Sequence, residues 1–165
     1  MRVKLKAGMV LIAALMASAA VDASRIDLHK LWHSHCAECH GHAADFARKF
    51  LSVSDKELLG WHHVHNLRQF MQNHYLMESE VDAVYNMLLA QADIPPRFQD
   101  ECSKCHGTAA DFVRNSLELR DDVLFSRESG TPTREFLENH RKLIPADIEF
   151  FIDNLTRVAN EVYRP

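Results

Sequence analysis

The chain has 165 residues, 47% apolar and 25% charged, a composition ordinary for a soluble globular protein of one domain or two small ones. It carries 19 basic and 23 acidic residues, a formal charge of −4, and so lacks the basic excess that nucleic-acid binding demands. Four cysteines in so short a chain are spaced as two close pairs, which matters more than their number.

The N-terminus comes first in the chain and sets its destination. Arg2, Lys4 and Lys6 precede an apolar stretch from Ala7 to Ala19, and small residues follow through Val21-Asp22-Ala23. That order is expected of a secretory signal peptide over residues 1–23, cleaved after Ala23, which sends the protein to the periplasm. The apolar run is shorter than the roughly 20 residues of a spanning helix, and no later run approaches that length. No membrane span is expected after cleavage. Loss of the leader leaves 16 basic against 22 acidic residues, so steering favours partner proteins with a basic docking face.

Beyond the leader, Leu28, Leu31 and Trp32 predict a short helix that runs into Cys36-Ala-Glu-Cys39-His40. Ala43, Phe46, Ala47, Phe50 and Leu51 fall at helical spacing, as do Leu67, Phe70, Met71 and His74. Val81, Val84, Tyr85 and Leu88 predict a further helix. Pro95-Pro96 then mark a boundary near Asp93. Past it the pattern begins again, with Phe98 before Cys102-Ser-Lys-Cys105-His106 and helices over Ala109–Leu117, Thr133–His140 and Ile148–Leu155. Pro145, with Asp147 and Glu149 behind it, suits the first turn of the last helix. No alternating strand pattern stands out, so the expected class is all-α.

The recurrence is a duplication. At an offset of 66 residues, positions 36–74 align with 102–140, and 16 of these 39 positions are identical. Among them are Gly41/Gly107, Asp45/Asp111, Phe46/Phe112, Arg48/Arg114, Arg68/Arg134, Phe70/Phe136 and Asn73-His74 on Asn139-His140. One inserted residue before the last helix moves the offset to 67. The expected units are residues 24–93 and 94–165, each of roughly 70 residues and marginal for a protein-only core. Superposing them should bring His74 onto His140.

Cys-x-x-Cys-His is the attachment sequence of c-type haem: the two thiols add to the haem vinyl groups and the adjacent imidazole binds the iron. Cys36, Cys39, Cys102 and Cys105 are therefore the expected attachment points of two covalent haems, with His40 and His106 as proximal ligands. A four-cysteine zinc site or a redox-active dithiol pair is the alternative use of the same thiols. The histidine after each pair and the export signal weigh against it. For the sixth ligand, the second unit has no Met and no His but His106 and His140. His74 and His140 each follow their proximal histidine by 34 residues, so bis-histidine ligation is expected at both irons. Met71, Met77, His62, His63 and His65 are rivals at the first haem. Arg48 and Arg114, or Arg68 and Arg134, are candidates to pair with haem propionates. The surplus histidines His29, His33, His35, His42, His62, His63 and His65 all lie in the first unit and are expected to be exposed or structurally satisfied, with a metal-binding or proton-coupled patch as the alternative.

With both Cys-x-x-Cys-His-Gly motifs in hand, the chain resembles tandem dihaem c-type cytochromes built from two small class I-like units. The resemblance implies a helix before each haem motif packed on the last helix of its unit. That family usually supplies Met as distal ligand, and His74 and His140 depart from it towards the low-potential dihaem cytochromes c of bacterial periplasms. The expectation is an electron carrier between redox proteins rather than an enzyme, since six-coordinate irons leave no open position. A peroxidase-like enzyme with one exchangeable haem, and a haem subunit of a larger respiratory or dehydrogenase complex, are the alternatives.

Overall fold

The computed structural model describes residues 26–61 and 66–164. The leader at 1–23 and His62, His63 and His65 lie outside the described residues. The chain is mostly helical and repeats one element order twice. The first unit runs α1 (Leu28–His35), α2 (Ala37–His40), α3 (Ala43–Phe50), β1 (Leu51–Ser54), β2 (Glu57–Gly60), α4 (Leu67–Gln72) and α5 (Glu78–Asp93). The second runs α6 (Arg97–Glu101), α7 (Ser103–His106), α8 (Ala109–Ser116), β3 (Leu117–Arg120), β4 (Val123–Ser126), α9 (Thr133–Glu138) and α10 (Pro145–Val162).

The two hairpins correct the expectation of an all-α chain. β1 pairs antiparallel with β2, Leu51 opposite Gly60, and β3 pairs with β4, Leu117 opposite Ser126. Each turn is two residues long, Asp55-Lys56 and Asp121-Asp122, and all four have positive φ between 48° and 64°. Such a turn matches the twist of the flanking strands, and Asp tolerates the left-handed region better than most residues. Alternation is present in Leu51/Val53 and Leu117/Leu119, but four-residue strands are too short to make it conspicuous. Helical propensity at Leu51 and Leu117 yields to strand pairing.

The helices start and stop where local chemistry directs. Asp27 caps α1 by accepting from the His29 and Lys30 amides, both at 3.1 Å. Thr108 caps α8 through the Asp111 amide, and Asn66 caps α4 through the Gln69 amide. Each such cap stabilises its helix by about 1 kcal/mol. Gly41 and Gly107, immediately after the two motifs, both take φ 70°, which only glycine adopts without strain.

Buried side chains gather into two clusters. Leu28, Trp32, Ala47, Leu58, Val84 and Leu88 belong to the first. Phe98, Val113, Leu124, Phe151 and Leu155 belong to the second. In each unit the helix before the motif shares a core with the long closing helix. The units meet through the same face of each. A cleft of about 820 Å³ between them is lined by repeat-equivalent pairs, including Trp32 with Phe98, Asp45 with Asp111 and Arg48 with Arg114. α1 packs on α10 across this seam, as α5 leads through Pro95-Pro96 into α6.

Candidate metal centres

Each Cys-x-x-Cys-His segment forms one helical turn, α2 or α7, with its first cysteine just before the turn and its histidine as the last helical residue. The next helix begins three residues later and sets an aromatic ring against that histidine. Phe46 stands 4.6 Å from His40 and Phe112 stands 4.5 Å from His106, centre to centre. On the other side, α4 and α9 end just before His74 and His140. Phe70 stacks on His74 at 4.8 Å and Phe136 on His140 at 4.9 Å, one helical turn apart in sequence.

The two histidines of each unit are thereby brought face to face. The ring centres of His40 and His74 are 5.8 Å apart, and those of His106 and His140 are 6.1 Å apart. The rings are inclined at 60° and 62°, so the geometry repeats as well as the order. Two metal–imidazole bonds of about 2 Å each, on opposite sides of one ion, place ring centres about 6 Å apart once the ring radii are added. Each pair therefore leaves room for a metal between its rings.

Electrostatics support the neutral, ligating form of the proximal ring. Burial, and secondarily the facing His74, hold His40 below the ordinary histidine value, and burial with His140 does the same to His106. Burial, then Glu80, pushes the Cys36 thiol up, and burial, then Glu101, raises that of Cys102. A reactive dithiol needs the opposite shift. All four cysteines are free of disulfides. Among the described residues no three His, Cys, Asp or Glu side chains converge on a point, so the cysteine pairs do not assemble a four-thiolate zinc site. Paired axial imidazoles suit instead a metal that arrives with four bonds of its own, as iron does in a porphyrin. An aromatic face next to one pair is exposed in a way such a planar apolar group would cover: Phe136, stacked on His140, is 54% exposed.

Of the rival ligands at the first site, only Met71 and Met77 are described. Met71 is buried in the first core and Met77 is exposed at the start of α5. Of the surplus histidines that are described, His33, His35 and His42 are exposed, and His29 joins Glu161 at 2.8 Å. Arg48 and Arg114 lie at the seam. Arg114 donates to Asp27 at 2.8 and 3.0 Å and to Asp111 at 2.6 Å. Arg48 reaches Gln99 of the other unit at 3.1 Å and Asp45 at 3.5 Å. Arg68 pairs with Asp82, and Arg134 with Glu149, each tying the helix that leads to His74 or His140 to the closing helix.

Two residues beside the centres escape a reading by motif. The Trp32 indole N–H donates to the Gly41 carbonyl at 2.9 Å, next to His40. Arg141, directly after His140, donates to the Glu101 carbonyl, directly before Cys102. The repeat alignment signals both, because Trp32 falls opposite Phe98 and Arg141 opposite Tyr75. Comparison with protein-family models, with curated proteins and with solved structures finds no match to this chain.

Proposed function

We propose that the protein is an exported dihaem c-type cytochrome, built of two tandem class I-like haem domains, that carries electrons between partner proteins. Haem is attached at Cys36 and Cys39 and at Cys102 and Cys105, with His40/His74 and His106/His140 as axial ligands. The observation that carries the reading is the pair of facing imidazoles, 5.8 and 6.1 Å apart, beside a Cys-x-x-Cys-His motif in each repeat.

Haem iron, when bound, supplies a one-electron change between ferrous and ferric states. The chain's residues do the rest. Trp32 and Phe46, or Phe98 and Phe112, back the proximal side with apolar surface and keep water from it. Phe70 and Phe136 hold the distal rings in place. With two histidines held ready for each iron, neither site would need an open position to pass an electron, which favours a carrier over an enzyme. Two histidine ligands, rather than histidine and methionine, place both potentials low. No described helix is long and apolar enough to cross a membrane, and the acidic surface suits a redox partner with a basic face.

The test is production in a host that matures c-type cytochromes, followed by intact mass and spectra. Two covalent haems with low-spin bis-histidine spectra are expected. His140→Ala should retain both haems and make one high-spin. An unchanged low-spin spectrum in that variant would show that another residue ligates the second iron, and absence of covalent haem would overturn the reading.

A further inference from the structure

Repeat-equivalent positions next to the two centres carry different side chains, and the difference separates the proximal from the distal side. In the first unit the proximal side is fastened. The Trp32 indole, only 6% exposed, pins the Gly41 carbonyl at 2.9 Å and so fixes the backbone that follows His40. The second unit has Phe98 there, whose ring meets Phe112 at 5.8 Å but has no N–H to donate. In the second unit the distal side is fastened. Arg141 leaves the turn behind His140 and bonds the Glu101 carbonyl, so the distal turn is tied across the crevice to the segment carrying Cys102. In the first unit that place is taken by Tyr75, 84% exposed, whose ring meets His74 at 5.3 Å. No hydrogen bond among the described residues joins Tyr75 to the α1 end that precedes Cys36.

Both distal turns hold left-handed backbone at non-glycine residues: Tyr75 at φ 59°, and Arg141 and Lys142 at 59° and 54°. Each such residue favours release into an ordinary conformation, a tendency that surrounding contacts must counter. A side-chain latch to another element counters it at Arg141, whereas among the described residues no hydrogen bond holds Tyr75 itself and the first unit's turn is fastened only at its far end, where the Met77 amide donates to Glu80 at 2.9 Å. Local opening of a segment is governed by the bonds that must break for it to move, so the turn after His74 opens more readily than the turn after His140.

We propose that, of the two centres, the first is the one whose distal ligand exchanges: His74 gives way to a small neutral ligand of the carbon monoxide class, while Arg141 keeps His140 in place. This rests on the bis-histidine dihaem reading above. Trp32, by fixing the Gly41 carbonyl, would keep His40 seated when His74 moves. Arg141 is a positioning residue that acts through His140.

The experiment uses the full-length holoprotein, reduced and titrated with carbon monoxide, together with Arg141→Ala and Arg141→Lys. The wild-type protein should bind one carbon monoxide per two haems. Hydrogen exchange read by mass spectrometry should show residues 73–77 exchanging faster than 139–143, with carbon monoxide accelerating the first segment alone. Arg141→Ala should raise carbon monoxide affinity at the second centre by a few-fold to about tenfold, the value of one charge-assisted hydrogen bond at a partly solvated site, and Arg141→Lys should largely restore closure. Binding at neither centre, equal binding at both, acceleration confined to 139–143, or an Arg141→Ala protein indistinguishable from wild type would each overturn the proposal. In those cases two covalent haems with low-spin spectra would leave the dihaem reading standing. A protein without covalent haem would overturn both.

Discussion

Ala47 and Val113 occupy the same place in the two units, on the helix after the motif, and both are completely buried. The first unit has the smaller side chain there and the larger Trp32 where the second has Phe98, and both residues of each unit belong to its buried cluster. The tyrosines make the same point. In the first unit the Tyr85 hydroxyl accepts from the Leu58 amide of β2 at 2.7 Å. In the second, the Tyr163 hydroxyl stands 2.8 and 3.1 Å from the Val113 and Leu117 carbonyls where α8 meets β3. One backbone plan is held by different fastenings, each bonding a closing-helix tyrosine to the hairpin or its root. What repetition preserved is the placement of motif and facing histidines. What drifted is how each unit supports them.

The strongest way to break this comparison is to remove attachment from one unit only. Cys102→Ala with Cys105→Ala should cost one haem in the intact mass and much of the helical circular dichroism of the second unit, because roughly 70 residues make a marginal core alone. Cys36→Ala with Cys39→Ala should do the same to the first. If either variant kept two covalent haems, the equivalence of the motifs would fail.

A smaller effect tests whether the cores are equivalent. Leu88 and Leu155 are repeat partners, 4% and 2% exposed. Each Leu→Ala change should cost about 2–5 kcal/mol in denaturant unfolding. A cost below 1 kcal/mol at either position would show that its cluster is not a packed core.

The tyrosine fastenings differ in what their loss strands. Tyr85→Phe leaves the buried Leu58 N–H without its acceptor and should cost about 1–3 kcal/mol. Tyr163→Phe strands the Val113 and Leu117 carbonyls, the first of which already accepts from the Leu117 amide, and an exposed Arg127 guanidinium that water can serve, and should cost about 1 kcal/mol. Thermal unfolding of both variants in one buffer checks the order, and a larger loss for Tyr163→Phe would reverse it.

The seam gives the smallest contrast. Arg114→Ala removes two contacts to the half-buried Asp27 and should cost about 1 kcal/mol, falling with added salt. Arg48→Ala removes longer contacts and should cost a few tenths of a kcal/mol. Equal losses from the two repeat-equivalent arginines would mean that the seam is more symmetric than its hydrogen bonds indicate.

Read as sequence alone, the chain discloses its duplication, its helices and both histidine pairs, because these are written as local spacing. Cys-x-x-Cys-His occupies five positions, the helical stripes repeat every turn, and the common interval of 34 residues singles out His74 and His140 without any contact being known. The hairpins were not legible in the same way. Their strands are four residues long, and Asp-Lys and Asp-Asp turns lack the glycine that usually advertises a two-residue turn. For Arg48 and Arg114 the sequence offers a candidate pairing with haem propionates but no protein partner, since Gln99 and Asp27 lie 51 and 87 residues away.

Local order thus determined which histidines form the two facing pairs, since helix periodicity and motif spacing act over a few turns of chain. Tertiary structure decided what supports them: which rings stack on the histidines, which faces of the two units meet, and that Trp32 braces the backbone after His40 while Arg141 ties down the turn after His140. These contacts join residues far apart in sequence, whose meeting depends on how buried faces pack and on which polar groups are left needing a partner. No spacing rule encodes that, and it appears only when the chain is folded.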